Sequence, residues 1–136
     1  MQRLQSRAQF QAVLAGATVS RTVHFALHRA ALDAQPPLPA HPTPAAAVPA
    51  PLFAVREPWI GALIPKRWAK RAVTRNAIKR QIYAVSQDVE PSLSQAAHVV
   101  RLRCAFDRAR FPSASSDALK HAVRGELQQL FARAAR

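Results

Sequence analysis

Acidic side chains are scarce in this sequence. Its 136 residues hold seven Asp and Glu against twenty Lys and Arg, a formal net charge of +13. The acids (Asp33, Glu57, Asp88, Glu90, Asp107, Asp117 and Glu126) are scattered, so no carboxylate cluster is ready to hold two metal ions. Glycine is scarcer still. Three residues leave no room for a Gly-rich phosphate loop. One cysteine, Cys104, excludes an internal disulfide, and its apolar surroundings suggest a buried thiol. The five histidines (His24, His28, His41, His98 and His121) show no metal-ligand spacing. No apolar run approaches the roughly 18 residues that cross a bilayer. The first residues, Met1 to Ser6, lack the apolar stretch of a signal peptide. A cytoplasmic location away from membranes is the expectation, with neither a catalytic constellation nor a protein metal site.

What is present fits one domain over residues 1–136. Apolar residues make up 49% of the chain, too many for a disordered basic tail. Ser6-Arg7-Ala8-Gln9 reads as a capping box, and Phe10, Val13 and Leu14 give the following helix one apolar face before Gly16. Val23, Phe25 and Leu27 alternate with His24, Ala26 and His28, a strand with Val23, Phe25 and Leu27 toward the core. Residues 33–58 hold eight of the eleven prolines among alanines and read as an exposed, semi-rigid insertion, dispensable for folding. Trp59 to Ile64 suits a buried strand. A helix is expected from about Ala69 to Asp88, with Val73, Ala77, Ile78 and Val85 on its inner side. Over His98 to Phe106, Val100, Leu102, Cys104 and Phe106 share one face and Arg101 and Arg103 the other, a sheet packed on one side. Ser115 or Ser116 would cap a last helix with the stripe Leu119, Val123, Leu127, Leu130 and Phe131. The order is α-β-(insertion)-β-α-β-α, an α+β sandwich with helices on one mixed sheet.

The informative segment is Lys66 to Arg80. Seven of its 15 residues are Lys or Arg and none is acidic. On a helical wheel Arg75, Asn76, Lys79 and Arg80 share an arc with Tyr83. A solvated charged face usually mixes signs, because opposite charges at i, i+4 stabilise each other. Arg71, Arg75 and Lys79 instead repeat one sign at that spacing, which costs energy until a polyanion removes it. Guanidinium forks grip phosphate oxygens in pairs, lysines add point charge, and Asn76 can meet a base edge or a ribose hydroxyl. These features point to RNA. His28, on the open face of its strand, could stack on a base.

Residues Lys70-Arg71-Ala72-Val73-Thr74-Arg75-Asn76-Ala77-Ile78-Lys79-Arg80 resemble the signature helix of the protein subunit of bacterial ribonuclease P. Ile60 to Arg67, Phe10 to Leu14, His24 to Leu27 and Leu127 to Phe131 are similar to that family as well. Ala77 stands where the family usually has a second arginine, and Pro65 where Ser is common. The resemblance implies an α/β sandwich with a left-handed β-α-β crossover. It implies that the catalytic subunit is an RNA, which uses Mg²⁺ to remove the 5′ leader from precursor tRNA, and that the protein joins it one to one. Lys66, Arg67, Lys70, Arg71, Arg75, Asn76, Lys79 and Arg80 would then bind the catalytic RNA. Phe10, Leu14, Ala26, His28 and Arg103 would line a cleft for the leader, between the first helix and the open sheet face. The other reading of the same charge is a stand-alone RNA-binding module, such as a ribosome-associated protein. The signature helix favours the first.

Overall fold

A computed structural model describes residues 1–32, 53, 57–93, 95–106 and 117–134. Within them the chain forms β1 (Gln2–Arg3), α1 (Arg7–Leu14), β2 (Ala17–Arg21), β3 (Phe25–Ala31), β4 (Trp59–Leu63), α2 (Ala72–Asp88), a 3₁₀ turn (Glu90–Ser92), β5 (Ala96–Leu102) and α3 (Asp117–Ala134). The five strands make one mixed sheet in the order β1-β4-β5-β3-β2. β4 runs parallel to β1 and β5, whereas β3 runs antiparallel to β5 and β2. The mixed α/β sheet expected from sequence is present.

Several local signals act as read. Ser6 Oγ accepts from Gln9 N at 3.2 Å and Gln9 Oε1 accepts from Ser6 N at 3.1 Å, so the capping box closes in both directions. Helix α1 ends at Leu14, and Gly16 then runs against β3. A Cβ on Gly16 would lie 2.5 Å from the Arg29 carbonyl oxygen, a contact only glycine allows. The stripe of α3 is buried at all five positions.

The main core lies between the sheet and the pair α2 and α3. Phe25, Leu27, Ile60, Val100 and Leu102 from the strands meet Ile78, Ile82 and Val85 of α2 and the α3 stripe. Helix α1 packs on the opposite face, where Leu4, Val13, Phe53, Trp59, Ala97 and Val99 form a smaller cluster with Phe10 and Leu14 at its edge. The sheet is therefore covered on both faces, not on one.

Other expectations need correction. Strands β1 and β2 precede and follow α1, which the α-first order omitted. β1 has only two residues, too few to show alternation. β2 contains a bulge between Thr18 and Ser20, which breaks the period of two. Val23 is 72% exposed in the β2–β3 turn rather than in the core, and β3 begins at Phe25. β5 stops at Leu102, and Cys104 beyond it is exposed, not buried. Helix α2 starts three residues later than expected, leaving Val73 in its first turn 56% exposed. Phe53, inside the proline-rich insertion, is buried edge-on against Trp59 at 5.5 Å between ring centroids. Phe53 itself therefore contributes to the core. Residues 33–52 and 54–56 of the insertion, and the expected Ser115 or Ser116 cap, lie outside the described residues.

Candidate nucleic-acid interface

Two basic surfaces emerge on opposite sides of the sheet. The first is built from the β4–α2 turn and the outer face of α2. The Pro65 carbonyl accepts from Trp68 N (3.1 Å) and Ala69 N (3.2 Å), closing a tight turn that buries Ala69. Lys66, Arg67, Lys70 and Arg71 are left exposed on it. Arg67 also lies over the Trp68 ring, 5.3 Å from its centroid. Arg75 staples this turn to the helix, since its NH1 donates to the Ala69 and Lys70 carbonyls at 3.0 and 2.8 Å. Asn76, Lys79 and Arg80 continue the exposed face, while Ala77 and Ile78 point inward. The first turn of α2 holds no acidic residue, so its positive dipole end adds to these charges instead of being screened.

One member of this surface has no mark in local sequence patterning. Arg3 of β1 lies over the Tyr83 ring of α2 at 4.1 Å, a cation–π contact that extends the stripe by one charge. Only the parallel pairing of β1 with β4 brings the two together.

The second surface lies beside α1. Phe10 and Leu14 are half-buried there, and Phe10 sits directly over Gly61 of β4, where a Cβ would approach its ring to 2.7 Å. Ala26 and His28 lie on the same sheet face, as expected, but they form a floor more than a surface, with exposures of 1% and 7%. His28 is therefore not an open stacking platform. Its Nδ1 meets Thr18 Oγ1 at 3.1 Å, and its Nε2 accepts from Arg101 Nε at 3.2 Å. Burial, followed by the charges of Arg101 and Arg21, pushes the His28 imidazole below its ordinary pKa. Arg103 is exposed, and its NH1 donates to the Thr22 carbonyl at 3.2 Å at the end of the β2–β3 turn. Thr18, Arg21 and Arg101 join this surface although sequence patterning did not select them for it. Strand register brings them there.

Nearby, Glu126 of α3 pins the same turn. Its carboxylate accepts from Thr22 Oγ1 (2.7 Å) and His24 N (2.8 Å) and pairs with His24 Nδ1 (2.7 Å), while the His24 ring stacks on Phe106 at 3.9 Å. This histidine–carboxylate pair holds the turn. Among the described residues no group of three His, Cys, Asp or Glu could hold a metal ion, and no helix is long and apolar enough to cross a membrane.

A cationic α2 surface with no acid interleaved among its described residues, on an α/β scaffold, defines a polyanion-binding protein of the RNA-binding class. A family model described as Ribonuclease P matches residues 1–134. The ribonuclease P protein component of Bordetella parapertussis is 34% identical over 134 residues, covering 98% of this chain and 92% of that protein. The component from Burkholderia pseudomallei is 36% identical over 81 residues, and the match spans 60% of each chain. The RNase P protein of Staphylococcus aureus has a similar fold, with a TM-score of 0.64 at 15% identity over 97% of this chain and 94% of that one. The chain belongs to the family of the bacterial ribonuclease P protein component.

Proposed function

We propose that this chain binds the catalytic RNA of ribonuclease P through the α2 surface and the 5′ leader of precursor tRNA through the cleft beside α1. The observation that carries this reading is the single-sign face of α2 and its turn. Lys66, Arg67, Lys70, Arg71, Lys79 and Arg80 stand exposed with no acid among them. Arg75 organises their turn and Asn76 offers a polar group for a ribose or base edge. In the cleft, Phe10 and Leu14 supply apolar surface for bases and Arg103 a cation for the backbone, over a floor of Ala26 and His28. Hydrolysis belongs to the RNA subunit, whose Mg²⁺ would activate the attacking water and steady the leaving oxygen. The protein's cations shield phosphates that would otherwise need more metal ions. The complex is one protein to one RNA, in the cytoplasm. The β4–α2–β5 crossover is taken as left-handed, against the general preference. Its support is the family resemblance of the signature helix and its flanking strands, within the family whose model spans residues 1–134.

Reconstitution tests this. The protein alone should leave precursor tRNA intact, and adding it to the RNA subunit at limiting Mg²⁺ should raise cleavage. Lys79→Ala should weaken binding to the RNA subunit and lower the salt slope by roughly one unit. Cleavage by RNA-free protein, or an unchanged slope for both Lys79→Ala and Arg80→Ala, would overturn it.

A further inference from the structure

The α1 face of the sheet carries a polar chain across three strands. Thr18 of β2 stands directly opposite His28 of β3, and Arg101 of β5 stands opposite Ala26, two residues earlier on β3. Arg21 faces Ala26 from the other side. In a regular strand, residues three apart point to opposite faces. The bulge between Thr18 and Ser20 cancels that, so Thr18 and Arg21 share the α1 face. Ser20 turns the other way and donates from Oγ to the Leu130 carbonyl at 2.8 Å. Arg21 and Arg101 thus flank one small residue, with their backbones about 10 Å apart across two strand spacings. Among the described residues neither forms a salt bridge.

The hydrogen bonds fix the state of the histidine. Nε2 can accept from the Arg101 guanidinium only in a neutral ring, because an imidazolium has no lone pair. The ring proton then sits on Nδ1 and is donated to the Thr18 hydroxyl. Burial and two neighbouring positive charges favour the same neutral form. With Nε held, the Arg101 guanidinium loses its freedom to rotate. NH1 and NH2 form the two-pronged edge that matches a pair of phosphate oxygens.

We propose that His28 is a positioning residue that aims Arg101, and that Arg101 and Arg21 together take one backbone phosphate of the single-stranded leader. The proposal rests on the α1 face being the leader cleft. It replaces base stacking by His28 with a role the ring can perform while buried.

The test is a set of binding measurements on the assembled ribonucleoprotein, with precursor tRNA and with mature tRNA, which has no leader. Arg101→Ala should weaken precursor binding roughly tenfold, the scale of a lost charged hydrogen bond, and leave mature tRNA nearly unchanged. His28→Leu should produce a loss of the same selectivity, about threefold or more, with Arg101 still present. His28→Gln, whose amide oxygen replaces the Nε2 acceptor, should restore most of it. The double variant His28→Leu with Arg101→Ala should bind no worse than Arg101→Ala alone, since an unaimed arginine and an absent one are equivalent. Should His28→Leu not fold, Thr18→Val, which removes the Nδ1 partner, should show a milder selective loss. Full additivity in the double variant, no rescue by Gln, or equal loss for both tRNAs would overturn the proposal. Phe10→Ala separates the two levels. If Phe10→Ala is leader-selective and Arg101→Ala is not, the positioning role fails and the cleft stands. If neither is selective, the cleft reading itself fails.

Discussion

On the side of the sheet facing α2 and α3, large aliphatic and aromatic side chains interlock in a continuous core of sixteen buried residues. On the side facing α1, the strands offer Trp59 at one end and otherwise small residues such as Ala26, Ala97, Val99 and Gly61, covered by a helix of eight residues. A helix that short is marginal alone and depends on its cap and on the few side chains it buries. Stability is thus concentrated on one face, and the other keeps small residues, half-buried apolar groups and cations together. Segments that accommodate ligands are drawn from the less stable parts of a protein. The difference between the faces explains how the fold tolerates an uncompensated cluster of arginines. Arg21, Arg101 and Arg103 stand over the thin side, where their repulsion strains little of the core, whereas the α2 stripe is carried by a helix anchored in the thick one.

The largest effect should come from the thick side. Leu127→Ala removes a fully buried side chain of α3 and should cost about 3 kcal/mol in denaturant unfolding. A loss under about 1 kcal/mol would mean that the α3 side does not dominate stability. Gly61→Ala probes the thin side. The new methyl group would lie 2.7 Å from both Leu4 Cδ1 and Phe10 Cε1, so these two side chains, which seat α1 on the sheet, must shift. The expected cost is smaller, about 1–2 kcal/mol, with a selective loss of precursor tRNA binding over mature tRNA. If Gly61→Ala destabilised as much as Leu127→Ala, stability would be shared equally between the two faces.

The smallest effect is a pH dependence shared between the faces. His98, buried on the α3 side, and His28, on the α1 side, both titrate below their ordinary value in the folded protein, chiefly through burial. As pH falls below the unfolded value near 6.5, the unfolded chain takes up protons that the folded one refuses. Their contribution is therefore complete above that pH and declines beneath it. Glu57 behaves separately. Its hydrogen bond from Gln2 holds its carboxyl below the usual range, so its contribution is lost only under about pH 4.5. Melting temperature should fall from about pH 7 to about pH 5.5, with His28→Gln and His98→Gln each flattening the slope. A flat profile in the unsubstituted protein would show that neither ring is held neutral by the fold.

Signals confined to a few neighbouring residues were legible in the sequence. The Ser6–Gln9 box, the α3 stripe and the alternation up to Leu102 each follow from local periodicity, and the structure contains all three. The single-sign helix was legible because like charges at i, i+4 need an external explanation. Features set by register were not. β1 is visible only through its pairing with β4, and β2 is hidden by its bulge. Val23 and Cys104 extend apolar alternations past the point where the backbone turns away. Phe53 lies in a stretch whose prolines suggest exposure, yet its own ring packs edge-on against Trp59. The candidate site divides in the same way. The α2 surface could be read from one segment, whereas Arg21 and Arg101 meet only because two strands pair with the same alanine.

The bulge in β2 also bears on how this strand can change length. Val19 and Ser20 together occupy the place opposite Leu27 that one residue would fill in a regular ladder. Deleting either would straighten the strand and leave Thr18 opposite His28 and Arg21 opposite Ala26. A one-residue deletion there should leave the cleft residues facing as they do, at the cost of the Ser20 bond to the Leu130 carbonyl and of Val19's present packing on the main core. The same deletion outside the bulge would reverse the facing of every residue beyond it. A sequence alignment that places its gap by hydrophobic alternation would therefore assign Arg21 to the wrong side of the sheet, and only a gap at Val19 or Ser20 keeps the arginine pair in view.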